Sequence, residues 1–342
     1  MHTNTSKICS KNKIRFFTTP WGLAVLAVLV VLCTFCSLRY GSSEMSIAEF
    51  ISALTKKQGV ETQSIILYSV RLPRTLAGLL AGAGLSVSGA LLQSVTDNAL
   101  AGPNIIGVNA GAGFAAVIFL CLAPQYAQFL PFAAFAGAFA ASILILLLAG
   151  MTGISKTSVI LAGVVLTALL NSLISFLTLT DTDILASYNS FSVGGLYGVK
   201  ADGLIIPAVI IAVSFIVSML FAKRTDILCL GDGCAVSLGV NVRATRIICL
   251  LCASASAGAA VSFAGLLGFV GLIVPHIARK LTGNLMRNLL PVSALIGAGI
   301  TVLADLLGRL IAAPSEIPVG IMMSFIGCPF FIAILLKHRS EG

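Results

Sequence analysis

The feature that most constrains this chain is a succession of long apolar runs, near residues 20–38, 68–92, 104–122, 131–150, 157–178, 203–222, 246–264, 266–281, 290–310 and 317–336. An α-helix needs about 20 apolar residues to cross a bilayer core. A spanning β-strand would instead alternate apolar and polar side chains over about 10 residues, and these runs are unbroken. Only 10% of the residues are charged and 58% are hydrophobic, whereas a soluble domain carries about 25% charged residues. Lipid is therefore the solvent, and the fold class is an all-α membrane protein of ten transmembrane helices. The eighth run, Leu266 to Leu281, is short and contains Pro275, so its ends are poorly defined. No linker divides the chain, which reads as one transmembrane domain, 1–342, with a basic cytoplasmic tail, 1–19, and a long cytoplasmic loop, 223–245.

The net charge of +9 does not indicate nucleic acid, because the basic residues sit singly or in pairs between apolar runs and form no stripe. They report orientation. With the N-terminus inside, two thirds of the 21 Lys and Arg fall on the cytoplasmic side, including Lys156, Lys223, Arg224, Arg243, Arg246, Arg279, Lys280 and Arg287. That imbalance fits the positive-inside rule and puts both termini in the cytoplasm. The first run lacks the small-residue cleavage site of a signal peptide and reads as an uncleaved span. The 9 cysteines are scattered, and no histidine or carboxylate pattern completes a metal site around Cys33-x-x-Cys36 or Cys249-x-x-Cys252.

Small residues line several spans. Gly78-x-x-x-Gly82 continues to Ser86 and Ala90, Gly107-x-x-x-Gly111 repeats the spacing, and Ala253 to Ala264 is nearly all small. Such faces let helices pack closely where no hydrophobic drive separates protein from lipid. One small-residue span opens each half of the chain, and the two run in opposite directions, as in inverted repeats.

Three stretches exceed what lipid-facing helices require. Arg71-Leu72-Pro73-Arg74, leading to Asp97-Asn98-Ala99-Leu100-Ala101-Gly102-Pro103, sets two arginines at the outer mouth of a span. They can snorkel to headgroups or pair with carboxylates of a docking partner. The second stretch, Leu230 to Val240, lies in the longest cytoplasmic loop. It fits two glycine-bounded short helices with apolar residues spaced to dock on another chain. The third holds His276 and the pair Asp305 and Arg309 near Glu316. His276 is a lone histidine, more suited to packing than to metal ligation. Asp305 and Arg309 are one turn apart and can pair with each other, while an ionisable residue within a span is a functional candidate.

These stretches, in this order and spacing, resemble the FecCD-type permeases, an importer family for ferric siderophores, haem and cobalamin. The resemblance runs from about residue 20 to 337. It departs at Ala99, where the family usually has proline. It implies an ABC type II importer permease fold with inverted-repeat halves, assembled as a homodimer in a bacterial cytoplasmic membrane. It further implies two copies of a separate ABC ATPase and an extracellular or periplasmic substrate-binding protein. By that resemblance Arg71, Arg74 and Arg309 meet glutamates of the binding protein. Ile227, Leu228, Leu230, Gly231, Ala235, Leu238 and Gly239 form the ATPase coupling segment. Lys156, Thr157 and Ser158 form the inner gate, although many members carry small hydroxyl residues where Lys156 stands.

The chain is expected to bind no cofactor of its own, with ATP and Mg²⁺ used by the partner ATPase. Gly150-x-x-x-x-Ser155-Lys156-Thr157 imitates a phosphate-binding loop, but Ser155 replaces the second glycine and the flanks are membrane helices. The expected function is translocation of a metal chelate, foremost a ferric siderophore, by alternating access, with haem and cobalamin as alternatives. An ion-coupled secondary transporter would need midplane carboxylates or broken helices. Asp305, the one carboxylate plausibly within a span, lies near its outer end. An intramembrane enzyme would need a serine–histidine pair or an H-E-x-x-H motif, and neither is present.

Overall fold

The computed structural model describes residues 17–41, 45–55, 61–104, 106–151, 155–179 and 181–340, without the side chains of 334, 335 and 337–340. The basic tail before Phe17, Glu44, Lys56 and Lys57 lie outside the described residues. The elements are α1 (Pro20–Arg39), α2 (Ile47–Leu54), α3 (Glu61–Thr96), α4 (Val108–Leu122), α5 (Leu130–Met151), α6 (Lys156–Thr178), α7 (Thr182–Val193), α8 (Ile205–Leu228), α9 (Asp232–Ser237), α10 (Val242–Ala264), α11 (Val270–Thr282), α12 (Met286–Ile311) and α13 (Val319–Ser340). No strand occurs among the described residues.

Nine of the ten expected spans are helical over most of their length, the eighth only from Val270, and local sequence explains several boundaries. Thr19 caps α1 ahead of Pro20, where a missing N–H costs nothing. Ser46 and Glu49 cap α2 reciprocally, Asp181 caps α7 and Asn241 caps α10, each supplying an oxygen to otherwise orphaned N–H groups. Gly265 and Gly283 end α10 and α11 at positive φ, which a side chain would resist.

Among the described residues, seven helices are long and apolar enough to cross a membrane. The expected fourth-quarter span Leu266 to Leu281 is instead an irregular segment followed by the 13-residue α11, about 20 Å at ~1.5 Å per residue. Phe269 at its start takes φ +64, a conformation that costs a bulky residue. The 15-residue α4 is short in the same way and also follows a buried irregular stretch, Ala101, Gly102 and Pro103. Each short helix therefore succeeds one of the two small-residue spans, α3 and α10, in line with inverted halves. Non-helical backbone at membrane depth is tolerated because it is enclosed by protein.

Helices α3, α10 and α12 form the centre, with two thirds or more of their apolar length buried, against a third or less for α1, α5, α6 and α8. Glycines set the closest approaches. A Cβ on Gly82 would strike the Gly297 carbonyl of α12, and one on Gly89 would strike the Gly271 carbonyl of α11. Packing and dispersion hold such contacts where lipid removes the hydrophobic drive.

Candidate functional site

At one end of the bundle a π-helical turn, Ile66–Arg71, widens α3 just before the helix regains α geometry at Leu72. Such single turns often re-aim side chains at functional sites. Arg71 and Arg74 emerge here beside the C-terminal ends of α1 and α12. Arg74 grips Asp305 with Nε 3.0 Å from both carboxylate oxygens and Nη2 2.8 Å from Oδ1. Its Nη1 donates to Glu316 Oε2 at 2.5 Å. The other side of Asp305 is met by Arg309 Nε, 3.0 Å from Oδ2. Arg309 also donates to Ser37 Oγ at 2.7 Å and to the Ser37 and Tyr40 carbonyls. Arg71 donates to the Leu38 and Arg39 carbonyls at 3.0 and 2.7 Å. Two arginines thus close the carbonyl end of α1, where the helix dipole favours positive charge.

The sequence left open whether Arg309 pairs with Asp305 or faces a partner. In this conformation it pairs with Asp305. The arginines expected to reach headgroups or a docking partner are buried: Arg71, Arg74 and Arg309 are 3%, 5% and 2% exposed. A buried guanidinium must satisfy its donors internally, and Asp305, Glu316 and the α1 carbonyls do so. Glu316 is the accessible member, with its side chain 25% exposed.

Arg74 and Glu316 also edge a cavity of about 920 Å³ between α7, the Gly194–Tyr197 turn and the start of α13, with Ser187, Ser190 and Phe263 on its walls. A neighbouring hollow of about 750 Å³ shares Phe191 and Phe263 and adds Phe132 and Phe135. α7 was not foreseen as an element. Its signal was Asp181, which caps it, within the acidic outer stretch.

At the opposite end, the loop between α8 and α10 contains one short helix rather than two, because α8 continues through Ile227 to Leu228. α9 is bracketed by Gly231 at φ +107 and Gly239 at φ +76. Its Ala235 is buried, whereas Leu230, Val236 and Leu238 are more than half exposed. Arg246 of α10, itself buried, donates from Nη2 to Asp232 Oδ1 at 2.8 Å. Asp226 near the end of α8 accepts the Met286 N–H at 2.7 Å and so caps α12 across 60 residues.

Nearby, Lys156 Nζ lies 3.0 Å from Asp97 Oδ2, tying the start of α6 to the C-terminal end of α3, where Asp97 adopts φ +52. Ser155 caps α6 through the Ser158 N–H and hydroxyl. Arg279 of α11 bonds Gln93 and Ser94 of α3. Asp97, Gln93, Asp226 and Asp232 were not singled out as site residues in the sequence, since each acts through a partner at least 14 residues away. His276 packs edge-on against Phe330, ring centroids 6.0 Å apart. No cluster that could hold a metal ion occurs among the described residues, and the cysteines described there are free.

The profile of the FecCD transport family matches residues 29–337. The Iron(3+)-hydroxamate import system permease protein FhuG of Bacillus subtilis is 38% identical over 327 residues, 92% of this chain and 96% of that protein. The Fe(3+) dicitrate transport system permease protein FecD of Escherichia coli is 39% identical over 287 residues, 84% and 90% of the two chains. A solved metal-chelate type ABC transporter in an inward-facing conformation superposes with TM-score 0.82 at 29% identity, covering 93% of this chain and all of that one. PsaBC from Streptococcus pneumoniae in complex with Fab shares the fold at TM-score 0.60 and 18% identity, over 84% and 95% of the two chains. By the length and identity of these matches, this chain belongs to the FecCD transport family.

Proposed function

We propose that this chain is the membrane-spanning permease of an ATP-driven importer whose cargo is a ferric chelate, foremost a ferric siderophore. The observation that carries the reading is the family match over residues 29–337, reinforced by relatives named for ferric hydroxamate and ferric dicitrate import. The outer cavity supports it physically. At about 920 Å³ it is at the upper end of small-molecule sites, far larger than a bare ion needs. The charges at its edge, Arg74 and Glu316, are already paired with each other, so the wall offers no free cage for naked metal and suits a bulky chelate that carries its own ligands.

In this reading the chain performs no catalysis. Two copies face each other across a two-fold axis, and the apolar stripe Leu161, Val165, Leu169 and Phe176, exposed along α6, supports a helical partner there. Leu230, Val236 and Leu238 offer an apolar seat for an ATPase that uses ATP and Mg²⁺. The start of α1 and the end of α13 share that face, which supports cytoplasmic termini. A substrate-binding protein docks at the other face. Its carboxylates reach Arg74 by displacing Glu316, and Arg71 and Arg309 stand behind. The Lys156–Asp97 pair, beside Thr157 and Ser158, acts as the inner gate.

The test is uptake into proteoliposomes holding this chain with its ATPase and binding protein. Labelled ferric hydroxamate, ferric citrate, haem and cobalamin are offered in parallel. Uptake of a ferric chelate that requires both ATP and binding protein is the expected result. Uptake that ignores both and follows an ion gradient would overturn the reading.

A further inference from the structure

We infer that Arg246 and Asp232 are positioning residues. Their ion pair sets the orientation of α9, and without it ATP hydrolysis on the partner is not transmitted to the spans. The inference rests on the reading of the cytoplasmic loop as the seat of the ATPase.

The first argument is the poverty of other anchors. α9 has six residues, and Ala235 is its buried side chain. A helix this short has no stability of its own in water, and one buried methyl group cannot fix a direction. The flanking glycines, at φ +107 and +76, are turns that most residues cannot adopt, and a Cβ on either would meet nothing within 4 Å. Those turns set where α9 begins and ends but leave it unpacked. The apolar side chains that packing would use, Val236 and Leu238, point outward, 66% and 61% exposed.

Against this, the Arg246–Asp232 contact is rigid on one side. Arg246 ranks among the largest fully buried side chains in the protein. It stands one turn into α10, a helix packed against α3, α5 and α8. A buried guanidinium with a fixed fork directs its partner's position, and the partner here is the first residue of α9 at 2.8 Å. The helix that leads into the loop is fixed as well: Asp226, on the last turn of α8 and six residues before Asp232, holds the Met286 N–H of α12 at 2.7 Å. The segment from the end of α8 to the start of α9 is thus tied to two central spans, to α12 through Asp226 and to α10 through Asp232. Force on the exposed Val236–Leu238 face enters the bundle through these two contacts as well as along the chain into α8 and α10.

The test uses the full assembly in proteoliposomes with Asp232→Asn, Asp232→Glu and Arg246→Met. Three quantities are read: ATPase co-purification, chelate transported per ATP hydrolysed, and amide hydrogen exchange from Ala235 to Gly239. Asp232→Asn is expected to keep the ATPase bound and hydrolysing. Exchange should rise about tenfold, the scale of one charge-assisted bond, and transport per ATP should fall by a similar factor. Asp232→Glu should restore most of the coupling. Asp232 lies half exposed, so its variants remain decisive if Arg246→Met does not fold.

Unchanged exchange in Asp232→Asn would overturn the inference, whatever happens to transport, because Asp232 would then be a contact and not an anchor. Raised exchange with wild-type transport per ATP would overturn it too. The underlying reading fails separately: Leu238→Asp is expected to release the ATPase, and retained co-purification would show that the loop is not its seat.

Discussion

Replacing Asp305 with asparagine tests what holds α3 to α12 at the arginine-rich end of the bundle. Asp305 is 2% exposed and receives three contacts of 2.8–3.0 Å from Arg74 and a fourth from Arg309 at 3.0 Å. Asparagine keeps the volume and one acceptor oxygen but removes the charge and turns the other position into a donor facing a guanidinium. Removing one partner of a buried pair costs about 3–5 kcal/mol, because the remaining charge stays buried. Here two arginines are left behind, so the upper part of that range applies. For a chain of this size that corresponds to a fall of roughly 5–8 °C in midpoint. The measurement is thermal unfolding in detergent, followed by a thiol-reactive dye. Cys249 and Cys252 lie buried in α10 and become reactive when the bundle opens. Glu316→Gln is the control. Its side chain is 25% exposed, so about 0–1 kcal/mol is at stake and the midpoint should move by under about 2 °C. A midpoint for Asp305→Asn within that same margin would refute the argument that this carboxylate clamps α3 to α12.

Glu316→Gln should also strengthen docking of the binding protein, several-fold at low salt, because Arg74 Nη1 is released from its internal carboxylate; equal or weaker binding by surface plasmon resonance would remove the displacement step. Gly89→Ala should destabilise the protein by about 1–3 kcal/mol through overpacking, since its Cβ meets the Gly271 backbone of α11. The same thermal assay reads it, and a wild-type midpoint would mean that α3 and α11 can separate freely.

How far these features were legible depends on the distance over which they act. The apolar runs gave every spanning helix, and the spacing of Gly78, Gly82 and Ser86 marked the face that packs on α12. The caps Thr19, Ser46 and Asp181 are local chemistry. The arginine cluster was found as residues but not as an arrangement. Arg74 and Asp305 are 231 positions apart, and nothing in either segment says that Arg74 and Arg309 share Asp305 while Arg71 turns to the α1 carbonyls. A variant carrying glutamate at Arg71, Arg74 and Arg309 would set acids beside Asp305 and Glu316, so it should unfold the outer end as well as block docking.

The sequence by itself determined the solvent, the all-helical class, the face each small-residue span turns inward and the family. All of these follow from composition and from patterns within about 25 residues, the length over which a helix repeats its geometry. Tertiary structure alone decided that α11 begins as irregular backbone, that Asp226 caps α12 and that Arg246 holds α9. It also decided that Arg71, Arg74 and Arg309 are buried. Each of these depends on which donor finds which acceptor once the chain has folded back on itself. In a low-dielectric interior an unmatched donor is too costly to leave, so the partners are chosen by the packed bundle and not by their neighbours in sequence.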